Sequence, residues 1–161
     1  ELSDSHSSIT ITADGIWHHI MFSSNTSTDA HNLYVDGVNV LDKQNSTTGT
    51  IDFTRTDYAV GAATNGTSKF NGDIAELYFT TEFIDLSTHT NRLKFLAADG
   101  TSADLGADGS TPTGTQPILY LANPFGTFQN NLGSGGNFTE NGELTTGLAV
   151  RSIFANDMSS E

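Results

Sequence analysis

The residues able to do chemistry in this 161-residue chain are five histidines, nineteen carboxylates and many hydroxyls; there is no cysteine. Thiolate metal sites, disulfide frameworks and cysteine nucleophiles are thereby excluded. His18 and His19 adjoin in "WHHIMF". Neighbours on a strand leave on opposite faces, so these two do not converge on one ion as histidines at i and i+4 of a helix do. His6, His31 and His89 stand singly in polar surroundings. Retaining glycoside hydrolysis asks for two carboxyl groups about 5 Å apart. The nearest spacings are Asp73 with Glu76 and Glu82 with Asp85, and a separation of three on a strand sends each pair to opposite faces. No Gly-x-Ser-x-Gly turn presents a nucleophile. No catalytic residue is assigned, and the chain is read as a non-enzyme.

Oxygen ligands are the remaining chemistry. "DGTSADLGADG" offers Asp99, Asp104 and Asp108 among glycines as candidate oxygen ligands for a Ca²⁺ cofactor. The spacing fits no EF-hand loop, and Asp-Gly pairs more often form simple turns, which is the preferred reading. Tyr34, Tyr58 and Tyr78 are candidates to stack on sugar rings, with sheet packing as the competing explanation. Trp17 is the only tryptophan. Heading an apolar run with Ile20 and Phe22, it is expected to fill a core rather than to serve as a ligand platform.

The net charge of −13 repels phosphate backbones and anionic lipid, so nucleic acid is not expected as a partner. The acids are scattered singly, as on a self-repelling surface. No apolar run is long enough for a membrane span, and no insertion into a membrane is expected. Four Asn-x-Ser/Thr sequons, at Asn25, Asn45, Asn65 and Asn137, are of the number a Ser/Thr-rich chain acquires by chance.

The elements that must position these groups are mostly strands. "SITIT", "WHHIMF", "HNLYVDG", "VNVL", "GTIDF", "DYAVGA", "GDIAELYFTTEF" and "ILYL" alternate or cluster apolar residues between Gly- and Asn-rich turns. Asp36-Gly37 predicts a two-residue hairpin turn with both residues at positive φ. One short helix is predicted near 87–97, capped by Ser87 and closed by Gly100, with Arg92 and Lys94 towards its C-terminal end. The pattern predicts an all-β, antiparallel sandwich of the jelly-roll kind. Three regions are expected: a sandwich portion over 1–84, a helix, long loop and return strand over 85–121, and an irregular C-terminal arm over 122–161.

The series "WHHIMF…LYVDGVNV…YAVGA…FNGDIAELYF" resembles the second half of a laminin-G-like, concanavalin A-like lectin domain, over roughly residues 16 to 80. The stretch "DLSTHTNRLKFLAADGTSADLGADGSTPTGTQPILYL" is similar to an extension found on such domains in tailed-bacteriophage virion proteins. The resemblance implies a virion structural protein located on the particle surface: a tail fibre or a tail or capsid decoration protein. It further implies other virion proteins as partners, a homo-oligomeric state and host-surface glycan as ligand. A purely structural cement is the alternative, and a polysaccharide depolymerase the one after it. In a complete domain of this kind the Trp strand comes about midway, yet here it stands at residue 17. The expectation is therefore that a longer polypeptide or another chain supplies further strands.

Overall fold

The computed structural model describes residues 3–7, 10–11, 14–46, 49–54, 56–98, 101–142 and 144–147. Their regular structure is almost wholly β and every strand pair is antiparallel, as the alternating runs and turn residues require. The chain forms two compact units, one from Glu1–Ile51 and Glu82–Leu105, the other from Asp52–Thr81 and Gly106–Ala149.

In the first unit β1 (Ser3–Ser7) pairs with β5 (Leu41–Ser46), and β2 (Ile20–Asn25), β3 (Ala30–Val35) and β4 (Val38–Asn39) form a three-stranded meander. The β3–β4 turn is the two-residue hairpin that Asp36-Gly37 predicts. Asp36 has φ 56° and Gly37 φ 74°, so Val35 faces Val38 across the turn. Such a turn matches the right-handed twist of the strands it joins.

The core lies on one face of this sheet. Met21 stands opposite Tyr34 in the β2–β3 register, and both pack with Leu86 while Ile84 and Phe95 flank them. Burying each of these large apolar side chains contributes about 1.5–3 kcal/mol. The phase of β2 is therefore the reverse of the one expected: Met21 and Ser23 are buried, while Ile20 and Phe22 are 55% and 54% exposed. Trp17 precedes β2, is half-buried, and is not part of this core cluster, so the expectation of a tryptophan core plug is corrected.

The roof over the core is residues 84–97. Its helix, α1 (His89–Arg92), is a single turn rather than the 87–97 span predicted. Ser87 does not cap it, because its hydroxyl and its N–H both donate to the Asp85 carboxylate, at 2.6 and 3.0 Å. The Thr88 side chain makes no cap bond either. The helix ends early because residues 95–97 enter an antiparallel ladder with 101–103, through Ala97 N–H to Thr101 O and Ala103 N–H to Phe95 O. Arg92, expected towards the C-terminal end of the helix, is its last residue and is buried. It donates to the carbonyls of Leu86 and Ser87 and lies over the Tyr34 ring.

In the second unit β6 (Leu77–Phe79) pairs with β7 (Leu119–Leu121), bringing Tyr78 edge-on to Tyr120 with ring centroids 6.5 Å apart. The expected buried strand at "ILYL" is thus present, with Tyr120 and Leu121 inside. Residues 131–135 run along the other side of β7, where Leu132 N–H donates to Tyr120 O and Gly135 N–H to Ile118 O. A Cβ at Gly133 would stand 2.6 Å from Pro117 O, so this approach needs a residue without a side chain. The strands expected at "GTIDF" and "DYAVGA" do not form. Asp52 instead turns the chain by accepting from Thr54 N–H, and Gly61 sits at φ 75°. Within "SITIT", residues 10–11 are outside any strand and the rest lies outside the described residues.

Candidate functional site

The functional groups of the first unit gather at the two ends of the β2–β3 ladder. At one end, Asp36 in the hairpin turn binds back onto the chain that enters β2. Its carboxylate accepts from His19 N–H at 3.0 Å and lies 2.7 Å from His18 Nδ1, while its own N–H donates to His19 O. On the far side of the ring, His18 Nε2 is 3.5 Å from Asp14 Oδ1, an ion-pair distance. Asp14 is fixed by Ile16 N–H at 2.9 Å. The hydrogen bond to Asp36 is the chief cause that raises the His18 pKa above its ordinary value. For Asp14 the Ile16 N–H is the chief cause of a lowered pKa. An imidazole held between two carboxylates is stabilised in its protonated form and clips the turn to the strand. It is not poised as a metal ligand, which must be neutral. The adjacency of His18 and His19 does not reveal this clip. The signal is the pair of Asp-Gly turns, Asp14-Gly15 and Asp36-Gly37.

At the other end, Ser24 and His31 are cross-strand partners, with Ser24 Oγ and His31 Nδ1 2.9 Å apart. His31 Nε2 lies 3.3 Å from Asp29 Oδ1. Serine, histidine and aspartate thus stand in the order of a nucleophilic relay, which the singly placed histidines of the sequence did not suggest. Their burial runs the other way from one. The His31 side chain is fully enclosed and Asp29 is 55% exposed, whereas a relay buries its acid and opens its serine to substrate. The cluster instead ties off the hairpin, with Asp29 in the left-handed region at φ 58°.

The loop between these strands is polar and tied down by hydrogen bonds. Asn25 Oδ1 accepts from Ser27 N–H and Ser27 Oγ, at 3.1 and 2.7 Å. Buried Thr26 donates its hydroxyl to Gly49 O at 2.7 Å. Ser27, Thr28 and Asp29 are left exposed on a backbone that is held from below.

The residues expected from sequence are distributed as follows. Of the Ca²⁺ candidates, Asp99 lies outside the described residues, Asp104 belongs to the first unit and Asp108 to the second. Asp108 builds a turn, accepting from Ser110 N–H at 3.1 Å, and hydrogen bonding from Ser110 holds its pKa low. Among the described residues no group of three or more His, Asp or Glu is placed to hold a metal ion. Of the three tyrosines, Tyr34 is buried under Arg92 and Tyr78 is packed on Tyr120, which removes both as sugar platforms. Only Tyr58 is open, at 59% exposure, with its hydroxyl donating to Phe53 O. No helix among the described residues is long and apolar enough to cross a membrane.

Comparison with known proteins yields one match. Residues 2–85 fit the laminin-G-type family model described as the Concanavalin A-like lectin/glucanases superfamily. No curated protein and no solved structure matches the chain. The matched region holds the meander, its hairpin clip and the polar loop at its end, and it spans half of the sequence. The chain therefore belongs to the concanavalin A-like lectin/glucanase superfamily.

Proposed function

We propose that this chain is a non-enzymatic, lectin-like recognition module that presents a hydrogen-bonded polar loop to glycan. One observation carries the reading: the 25–29 loop is anchored by Thr26 to Gly49 and by its own Asn25 turn, yet leaves Ser27, Thr28 and Asp29 in solvent. Pre-ordered hydroxyl and carboxylate groups bind sugar hydroxyls without first losing loop entropy. Each such contact is weak, so attachment depends on many copies acting together.

The setting we propose is the surface of a tailed-bacteriophage particle, as a fibre or as a tail or capsid decoration, with other virion proteins as neighbours. Support for this comes from the stretch 85–121, whose Asp-Leu-Ser-x-x-x-Asn-Arg and Pro-Thr-Gly-x-Gln-Pro-apolar motifs are similar to extensions on such proteins. A glycan array probed with the multimerised chain tests the ligand. Binding to a defined glycan group that is lost in Thr28→Ala and Asp29→Ala supports the reading. A uniformly blank array removes it and leaves the structural cement.

A further inference from the structure

We propose that the open edge of β2, with the apolar face beside it, receives an extended segment of another protein chain as an added strand. That segment alternates apolar side chains and carries basic residues at both ends. The inference does not depend on glycan binding, since it concerns the flank of the meander and not the loop at its tip.

Three observations lead here. Strand β2 has β3 on one side, and among the described residues no strand on the other. Edge strands are normally defended by charge, proline or a bulge. Ile20–Asn25 (IMFSSN) contains no charged residue, no proline and no glycine, and its register with β3 is unbroken. Its backbone is thus a regular template for one more strand.

The side chains on that flank are also unfinished. Ile20 pairs with Val35, which pairs with Val38, and Phe22 pairs with Leu33 in the next row. These five share the face opposite the Met21–Tyr34 core; Val35 at their centre is buried, while Ile20 and Phe22 on the open edge and Val38 remain 55%, 54% and 57% exposed. Antiparallel sheets commonly leave one face to water, but that face is then polar. A strand laid beside β2 would bring its own alternate side chains level with Ile20 and Phe22, in the manner of strand addition.

Charge selects the occupant. One end of the apolar face is bounded by Asp14 and Asp36, the other by exposed Asp29, and β2 between them is about 20 Å long at 3.3 Å per residue. An incoming strand with Lys or Arg at its ends meets carboxylates at both. A second copy of this chain brings the same acidic ends and a charge of −13, and is disfavoured.

The test uses the whole chain and two synthetic peptides, Lys-Val-Thr-Val-Thr-Val-Lys and its Glu-flanked counterpart. Expected is saturable one-to-one binding of the Lys peptide, with slowed amide exchange at residues 20–25. Affinity should fall about tenfold at high salt, and again in Phe22→Lys, whose replaced side chain is exposed and not part of the core. Equal binding of the Glu peptide, or protection elsewhere with none in β2, overturns the proposal. Self-association of the chain that Phe22→Lys abolishes also overturns it, because the occupant is then a second copy.

Discussion

The guanidinium carbon of Arg92 lies 4.4 Å from the centroid of the Tyr34 ring, and the same group donates to Leu86 O at 2.9 Å. One side chain thus joins the roof of the first unit to its central strand, with its charge spread over an aromatic face and bound to carbonyls. We expect Arg92→Ala to lower unfolding free energy by about 2–4 kcal/mol, from lost charge-assisted hydrogen bonds and the cation–π contact. Arg92→Lys should recover only a minority of that, since an ammonium lacks the planar fork. Denaturant midpoints at constant slope measure both.

The His18 clip gives stability a pH dependence of defined sign. The Asp36 carboxylate raises the His18 pKa, so the folded chain holds this proton more tightly than the unfolded one. Its stabilising share is complete below about pH 6.5, the unfolded value, and is lost as pH rises through the folded value. Thermal midpoints should therefore decline as pH is raised from about 6.5, and His18→Asn should flatten that decline. Asp14 and Asp85, both held low, work in the opposite sense: their share is present above the ordinary carboxyl range and is lost as pH falls through their lowered values.

Ser24 and His31 distinguish a structural cluster from a reactive one. His31→Ala removes a buried ring and leaves its neighbours without it, at about 1–3 kcal/mol. Ser24→Ala should cost about 0.5–1.5 kcal/mol, the net value of one hydrogen bond. Hydrolysis of an activated ester should stay at the solvent background in the unaltered chain and in both variants. Turnover lost specifically in Ser24→Ala would restore the enzymatic reading.

Two glycines three positions apart offer a paired test of close packing. Alanine at Gly133 places a methyl 2.6 Å from Pro117 O and should cost about 1–3 kcal/mol through overpacking. Gly136 has nothing within 4 Å of that position, and Gly136→Ala should be neutral or slightly stabilising. Melting temperatures of the two variants, measured side by side, check the contrast.

Much of the meander was legible in the sequence, and for a stateable reason. Asp36-Gly37 forces a turn that few other residue pairs accept, and the alternation in "HNLYV" fixes which side chains share a face. The phase of β2 was not legible. Ile20, Met21 and Phe22 are three apolar residues in a row, so alternation alone does not say which side turns inward. Leu86 and Phe95, distant in sequence, decide it by covering Met21. The strands Ser3–Ser7 and Leu41–Ser46 were invisible to a hydrophobic pattern because almost all their residues are polar. The helix was overextended because its leucine spacing suits one, while the ladder with 101–103 claims residues 95–97 first. The clip at His18 and the cluster at His31 depend on cross-strand register, which a linear reading of single histidines does not supply.

The roof has a practical bearing on where the chain can be cut. The family match closes at residue 85, yet Leu86, Arg92 and Phe95, which shelter Met21 and Tyr34, all come after that point. A fragment trimmed to the matched segment would keep every strand of the meander and lay bare the face that carries Met21 and Tyr34. Expression boundaries drawn from family likeness would thus produce a sticky sheet, whereas extending them past Leu105 retains the cover.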